Sequence, residues 1–488
     1  MSAVAQIGSV VGSLGLSVLL LARDRWARLA GLVAWAVGLG LVGVVLLPDL
    51  PASRLVAAGV AAAPLVAVGA WALDRWPYLL AFLTLLSVPA RIPLDLGDEE
   101  VSLLLPLYGV IAALAAQLGW RLLHDDRRSR ELGPVAWPLA LLVAWSGVSI
   151  LWTNDVHRGA VFMGAFLLPF GVLALGFARL PWRGRLLTAL WGVLVGTAVV
   201  FAGIGLYQWW TRDVFWNPRV IVENAYAPFF RVNSVFWDPS VYGRYLAVAI
   251  LASLTGILLG GVRGWRILGL YAAVVTTWLG LLLSLSQSSF AALCVGIVVA
   301  AGIAFGGRVS LALLALGVVA LGVAVAVPQV RDELVGKSRS ELRKITRGRS
   351  DLVGQGVRIA LDHPLAGTGI GGFPREYGRR VGRFAGSDAK RVASHTTPVT
   401  VAAEQGVVGL ALYLAVLVAA LGATLRGLGH GFTSRVSLAV GVCLVAIAAH
   451  SLFYAAFFED PMTWALLGLV GVVVVVPRKP PVKEPAQP

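Results

Sequence analysis

The stretch VTVAAEQGVVGLALYLAVL, residues 399–417, contains a single charged residue, Glu404. A helix of about 20 apolar residues is long enough to cross the ~30 Å hydrocarbon core of a bilayer. The buried helix of a soluble domain normally keeps a polar face toward water, and residues 407–417 show none. Residues 399–417 therefore predict a membrane-spanning helix.

Similar runs recur along all 488 residues, of which 58% are hydrophobic and 13% are charged, with a mean hydropathy of +0.82. Soluble domains carry about 25% charged residues, so the composition excludes a soluble protein. The predicted fold is all-α, a polytopic membrane helix bundle. The predicted spans are 5–22, 30–47, 55–73, 77–90, 101–120, 136–152, 159–178, 187–207, 241–262, 267–284, 288–306, 309–327, 397–421, 436–456 and 461–477. The fourth is short enough to be re-entrant, so we expect about 13–15 transmembrane helices.

Basic residues are unevenly distributed between alternate connections. The basic set contains Arg23, Arg25, Arg28, Arg121, Arg127, Arg128, Arg130, Arg179, Arg183, Arg185, Arg263, Arg266, Arg308, Arg426, Arg435, Arg478 and Lys479. The other set contains Arg54, Arg91 and Arg158 beside acidic stretches at 95–100 and 457–460. Cytoplasmic connections are rich in Lys and Arg, so the first set is predicted to be cytoplasmic and the long loops 208–240 and 328–396 to lie outside.

The chain divides into three parts on this basis. Residues 1–134 are predicted to be N-terminal transmembrane helices, and residues 135–477 a transmembrane core that carries both long loops. Residues 478–488 form a proline-rich, charged tail that is predicted to be disordered and cytoplasmic. The net charge of +15 lies mostly beside apolar runs, which argues against nucleic acid as a partner. Cys294 and Cys443 fall within apolar runs, which predicts buried thiols.

The loop 328–396 is itself basic, with fourteen Lys or Arg against seven Asp or Glu. Either a solvated amphipathic helix or an anionic substrate at the outer membrane face explains this charge. Residues 350–361 have helical spacing, which predicts a helix with Leu352, Val353, Val357 and Leu361 on one face.

Residues 367–372, GTGIGG, formally satisfy G-x-G-x-x-G. No strand precedes them and no βαβ unit surrounds them, so we reject a dinucleotide site. The glycines instead predict a turn that packs closely against neighbouring helices.

His395 precedes the predicted span at 397–421, and Glu404 lies nine residues further on. Histidines in loops are more often incidental than functional. This one is predicted to lie at a membrane mouth among Arg and Lys, which favour a neutral imidazole able to accept a proton. A carboxylate within a membrane span indicates a functional site.

Two further segments contain polar residues near predicted span ends. RVNSVFWDPSVYGR, residues 231–244, places Arg231 and Arg244 on either side of a helix start, where an anion is favoured. Residues 284–289, SLSQSS, either pack helices or line an acceptor groove.

At these residues the sequence resembles the O-antigen ligase and Wzy-type polymerase superfamily of bacterial membrane glycosyltransferases. The specific signal is His395-Thr396, then nine residues, then Gly406-x-x-Gly409. Thr396 departs from the Asn, Ser or Gln of the family pattern. Supporting similarity lies in HPLAGTGIGGF at 363–373, in SILWTNDVHRGAV at 149–161 and in the Gly-Arg pair at 348–349. The resemblance covers roughly residues 138–458, whereas residues 1–130 share only hydrophobicity with the family.

The resemblance implies a GT-C-type, metal-independent glycosyltransferase in the bacterial inner membrane. It implies an undecaprenyl-diphosphate-linked glycan as donor, a lipid or glycan hydroxyl as acceptor, surrounding membrane lipids, no cofactor and an active site on the extracytoplasmic face. The predicted catalytic residues are His395, Arg349 and Arg231. The predicted substrate-binding residues are Arg244, Asp238, Gln287, Arg347 and Glu404. Family members often have Ser-Arg where this chain has Ser286-Gln287, so Arg231 or Arg244 is expected to take over that arginine's contact with the donor.

Two other classes remain open at the level of sequence. A transporter or channel is expected to show an internal repeat and polar residues near the bilayer midplane, whereas the polar residues here gather at one mouth. A metal-dependent GT-C transferase finds support in Asp95, Asp98, Glu99 and Glu100, although their spacing gives no Asp-x-Asp pair.

Overall fold

A computed structural model describes residues 2–47, 51–96, 99–181, 184–226, 229–258, 264–326, 349–381, 394–426, 428 and 432–475. The predicted tail at 478–488, Arg347 and Asp98 lie outside these residues, as do 327–348 and 382–393 of the second long loop.

The N-terminal half of the chain forms nine helices and a short hairpin. The helices are α1 (Ser2–Leu21), α2 (Arg25–Leu46), α3 (Ala52–Arg75), α4 (Tyr78–Ser87), α5 (Leu105–Leu123), α6 (Ala136–Ser149), α7 (Val156–Phe162), α8 (Leu168–Ala178) and α9 (Gly184–Thr211). The segment Met163–Leu167 is a π-helical turn that joins α7 and α8 into one span.

Ten more helices follow in the described residues. They are α10 (Pro218–Tyr226), α11 (Pro239–Leu258), α12 (Trp265–Ser284), α13 (Gln287–Phe305), α14 (Gly307–Ala326), α15 (Arg349–Asp362), α16 (Phe373–Val381), α17 (Thr397–Leu425), α18 (Phe432–Ser451) and α19 (Pro461–Val475).

The all-α polytopic bundle is confirmed, and each of the fifteen predicted spans coincides with a helix. Within the described residues, eleven helices are long and apolar enough to cross a membrane, and four apolar helices are shorter. The fourth span, Tyr78–Ser87, has 10 residues, in agreement with its predicted shortness.

The helix ends that the sequence assigns to the cytoplasm meet at one end of the bundle, which we call the arginine-rich end. Ion pairs join its connections: Arg25–Asp125 at 2.7 Å, Arg28–Glu131 at 2.9 Å, Arg121–Asp74 at 2.7 Å and Arg179–Glu131 at 3.2 Å. Arg28 and Glu131 are buried, so this pair ties the α1–α2 connection to the segment before α6. The connections that are rich in basic residues therefore lie together at one end of the bundle.

The opposite end, which we call the loop end, carries the connections that follow α4, α6, α9, α12, α15 and α18. One of these is an antiparallel hairpin of β1 (Ile92–Leu96) and β2 (Glu99–Leu103), with Asp95 paired to Glu100. The sequence had predicted a loop here that ran directly into a span from 101, whereas α5 begins at Leu105.

The predicted burial of both cysteines is half right. Cys443 is buried, whereas Cys294 is exposed on the surface of α13. Apolar runs in a membrane protein include residues that face lipid, so an apolar neighbourhood in sequence does not decide whether a side chain is buried.

Candidate functional site at the loop end

Helix α17 is broken near its start, at Gly406, which has a φ of 66° and a ψ of −165°. A break in a helix leaves the carbonyl groups of the preceding turn without their usual partners. Here the backbone N–H of Thr368 donates to the carbonyl of Ala403 (3.0 Å), and that of Gly369 donates to the carbonyl of Glu404 (2.8 Å). The turn at 367–372 therefore caps the broken helix.

The same break receives contacts from α6 and from the end of α15. The indole N–H of Trp145 donates to the carbonyl of Gln405 at 3.0 Å, and the hydroxyl of Ser146 donates to the Gln405 side chain at 3.1 Å. The N–H of Val407 donates to the carbonyl of Pro364 at 2.7 Å. These hydrogen bonds hold α17 in its broken form, from α6 on one side and from the segment after α15 on the other.

Close approach of backbones explains the glycines in this region. A Cβ atom on Gly406 would lie 2.5 Å from the backbone nitrogen of Ala366, and one on Gly371 would lie 2.5 Å from that of Gly159. A Cβ atom on Gly367 would overlap the backbone of Glu404. The predicted close packing of the glycine turn is confirmed, and Gly406 of the G-x-x-G motif forms the other half of that contact.

His395 occupies the turn immediately before α17 and has a left-handed backbone conformation, with φ at 61°. The hydroxyl of Ser394 bonds to the carbonyl of Thr396 (2.8 Å) and to the hydroxyl of Thr400 (2.7 Å), which fixes the turn. Left-handed backbone is uncommon outside glycine, and such strain clusters at functional sites. The histidine side chain is partly exposed, whereas its neighbours Ser394 and Thr396 are buried.

Helix α15 lies beside this turn and packs against it through a face that includes Leu352 of the predicted apolar face. Leu352 and Ile359 are buried, and Ile359 packs with Phe373 and Ala403 in a small cluster. Val357 and Leu361, predicted to lie on one apolar face with Leu352, are 44% and 71% exposed. A Cβ atom on Gly356 would meet Val399 and Ser394, so the buried face runs through a glycine that an apolar pattern does not reveal.

Glu404 points from the broken helix toward the glycine turn, where its carboxylate accepts from the N–H of Phe373 at 3.2 Å. Arg158 and Glu459 are its charged neighbours. The side chain is partly solvent-accessible. A carboxylate in an apolar span is therefore placed at a mouth rather than at mid-helix.

The connection between α18 and α19 brings the arginines of the loop end together. Arg91 donates to the carbonyl of Glu459 at 3.1 Å, and Arg244 pairs with Asp460 at 2.9 Å, with both side chains buried. Burial raises the pKa of Glu459, while the charges of Arg91, Arg158 and Arg244 act in the opposite direction. Glu459 remains partly solvent-accessible, so this charged cluster reaches the surface of the protein.

The remaining predicted residues are placed as follows. Arg231 donates to the carbonyl of Ser284 at 3.2 Å and lies 3.5 Å from the Glu223 carboxylate. Asp238 caps α11 by accepting from the N–H of Ser240 at 2.6 Å. Gln287 is exposed at the start of α13, and Arg349 begins α15.

The serine-rich segment at 284–289 packs helices. Ser288 is hydrogen-bonded to His450 Nε2 at 3.1 Å, and Ser289 donates to the carbonyl of Ser240 at 3.2 Å. These bonds join α13 to α18 and to the start of α11. Of the two readings that the sequence left open, the contacts favour helix packing for the serines.

Arg244 and Glu404 are thus electrostatic neighbours of Glu459, and Asp238 and Arg244 are neighbours of Tyr454 in the same connection. His395 occupies the turn at the start of the helix that carries Glu404. Sequence reasoning did not place Arg91, Arg158 and Glu459 in this cluster. The available signal was that Arg91 and Arg158 are isolated basic residues in connections that otherwise avoid them.

Residues 272–414 match the family model described as O-antigen ligase. The match runs from within α12 into α17 and includes Arg349, His395, Glu404, Gly406 and Gly409. No curated protein matched the chain. The many apolar helices make the chain a multi-pass membrane protein. The match over residues 272–414 supports the O-antigen ligase and Wzy-type superfamily, which implies a glycosyl-transferring enzyme of polysaccharide biosynthesis that acts on lipid-linked glycans.

Proposed function

We propose that the protein transfers a glycan from undecaprenyl diphosphate to an acceptor hydroxyl at the loop end of the bundle. The observation that carries the proposal is the strained turn of His395, which lies in the family-matched region at the start of a broken helix. The fixed turn holds the backbone of this histidine in one place, which supports a role in proton transfer, because a group that transfers a proton must be positioned.

The loop end is proposed to face the outside of the bacterial inner membrane. The arginine-rich end collects most of the basic residues of the short connections, which supports a cytoplasmic location for that end. The catalytic face would then be extracytoplasmic, where a lipid-linked glycan is available after it has crossed the membrane.

In the proposed reaction, the acceptor oxygen attacks the anomeric carbon of the donor glycan. The bond from this carbon to the diphosphate oxygen breaks, and the lipid diphosphate leaves with its electron pair. His395 accepts the hydroxyl proton as the new glycosidic bond forms. The step needs a neutral imidazole, because a protonated ring has no lone pair to accept the proton.

Negative charge accumulates on the diphosphate during this step, and fixed cations there stabilise the transition state. Arg349 and Arg231 are the proposed catalytic cations, with Arg347 and Gln287 as proposed contacts to the donor. The guanidinium group can contact phosphate through two parallel hydrogen bonds, so the proposed GT-C-type mechanism needs no metal ion.

Arg244, Asp238 and Glu404 are proposed to bind substrate from the charged cluster. The Nη2 atom of Arg244 has no hydrogen-bond partner in the described part of the chain, although the same guanidinium pairs with Asp460. One edge of this buried guanidinium is therefore held in place while another edge is available to an anion. Ligases and polymerases differ in the acceptor molecule, but in both the attacking group is a hydroxyl.

The decisive experiment measures glycan transfer by purified protein in lipid nanodiscs, with an undecaprenyl-diphosphate-linked oligosaccharide as donor. We expect His395→Ala to lower the rate about 10²–10⁴-fold, the usual contribution of a positioned proton acceptor. His363→Ala is the matched control, because His363 is an exposed histidine at the end of α15. The rate of the wild-type protein should fall at acidic pH as the imidazole becomes protonated.

A His395→Ala protein that transfers glycan at the wild-type rate would remove the proposed proton acceptor. Absence of transfer by the folded wild-type protein, combined with passage of glycan across the membrane of sealed vesicles, would favour a transporter instead.

A further inference from the structure

A cavity lies between α4, α8, α9, α11, α12, α18 and α19. Its volume is about 980 Å³, near the top of the ~300–1,000 Å³ range of small-molecule pockets. Its lining includes Ala252 and Gly256 from the second half of α11, and Trp265 and Ala273 from the first half of α12. These positions place the cavity in the half of the bundle next to the arginine-rich end.

Three threonines and one tryptophan of the cavity wall already make their hydrogen bonds within the protein. The hydroxyls of Thr84, Thr188 and Thr255 each donate to a carbonyl within their own helix, at 2.7, 2.8 and 2.9 Å. The indole N–H of Trp191 donates to the carbonyl of Ala252 at 3.1 Å. Because these hydrogen bonds are already made, the interior offers a ligand an apolar surface, which favours a hydrocarbon chain over water.

Two arginines line the same cavity at the arginine-rich end, Arg266 near the start of α12 and Arg435 near the start of α18. Trp265, beside Arg266, is 79% exposed. Tryptophans of membrane proteins concentrate at the level of the lipid headgroups. The arginines therefore lie at headgroup depth, with the apolar cavity extending from them toward the membrane interior.

We propose that this cavity binds an anionic glycerophospholipid, with an acyl chain inside the cavity and the headgroup phosphate at Arg266 and Arg435. Charge complementarity selects this occupant. A prenyl diphosphate that reacts at the loop end has its phosphates at the opposite end of the bundle from these arginines. The inference is independent of the proposed reaction, since it uses other residues and another end of the molecule.

Native mass spectrometry of the detergent-solubilised full chain tests the site, with dioleoyl phosphatidylglycerol and dioleoyl phosphatidylcholine as probes. We expect one phosphatidylglycerol to be retained in preference to phosphatidylcholine. Arg266→Gln and Arg435→Gln should each weaken its retention about fivefold, which corresponds to about 1 kcal/mol for each basic residue near the surface. Arg308→Gln, an exposed arginine at the same end on α14, should leave retention unchanged.

A second arm tests the cavity without changing charge. Ala273→Phe should lower the retention of phosphatidylglycerol because the ring occupies the cavity, whereas Ala272→Phe places its ring on the exposed surface of the same helix and should not. Equal retention of the two lipids, or retention unaffected by Ala273→Phe, would overturn the proposal. Displacement of bound phosphatidylglycerol by undecaprenyl phosphate, to a degree that Ala273→Phe abolishes, would assign the cavity to a prenyl chain instead.

Discussion

Replacing Gly406 with alanine tests whether the helix break supports the function. Its backbone, with φ at 66° and ψ at −165°, lies in a region that essentially only glycine adopts, at a cost of order 1–3 kcal/mol for another residue. The added Cβ would also lie 2.5 Å from the backbone nitrogen of Ala366, so the neighbouring turn must move. That movement breaks the bonds from Thr368 and Gly369, each worth roughly 0.5–1.5 kcal/mol. The expected destabilisation is therefore roughly 2–6 kcal/mol.

The assay compares thermal unfolding and glycan transfer for Gly406→Ala and Gly422→Ala in the same detergent. Gly422 lies in the same helix, and a Cβ there would meet nothing within 4 Å of the described residues, so alanine should stabilise the helix by roughly 0.5–1 kcal/mol. We expect Gly406→Ala to lose at least about tenfold in transfer, the effect of 1.4 kcal/mol at the transition state. If Gly406→Ala unfolds at the wild-type temperature and transfers glycan at the wild-type rate, the helix break at Gly406 does not support the function.

Three further outcomes are expected. Arg349→Ala should lower the rate of transfer roughly 10- to 100-fold, because the loss of a charge-assisted hydrogen bond costs about 1.5–3 kcal/mol. Arg358→Ala, which changes an exposed arginine on the same helix, should leave the rate unchanged. Equal rates for the two variants would place the diphosphate elsewhere. Burial raises the pKa of Glu459, so ionisation of this carboxyl lowers the free energy of unfolding as pH rises. Glu459→Gln should therefore unfold at a higher temperature than the wild type at pH 7–8. This difference should disappear below about pH 4, where the carboxyl is protonated in both states, and a difference independent of pH would contradict the argument. Transfer should persist in excess EDTA, while a loss that magnesium or manganese restores would favour a metal site near Asp95 and Glu100.

Much of the site was accessible from sequence because it depends on local patterns. His395 and Gly406 were identified by their spacing, and Glu404 was identified as a charge within an apolar run. Their proposed roles remain predictions. The convergence of Arg91, Arg158 and Glu459 was not predictable, because these residues come from three connections far apart in the chain, and only helix packing brings them together.

The membrane helices, and which of their ends lie together, could be predicted from the sequence, because the length and hydrophobicity of a span, and the charges beside it, are properties of about 20 consecutive residues. The break of α17 at Gly406 and the burial of Leu352, Gly356 and Ile359 on α15 depend on tertiary packing and could not be predicted in this way. A helical pattern shows that a helix has an apolar face, but the partner of that face, and the backbone that must fit against a glycine, are set by segments elsewhere in the chain.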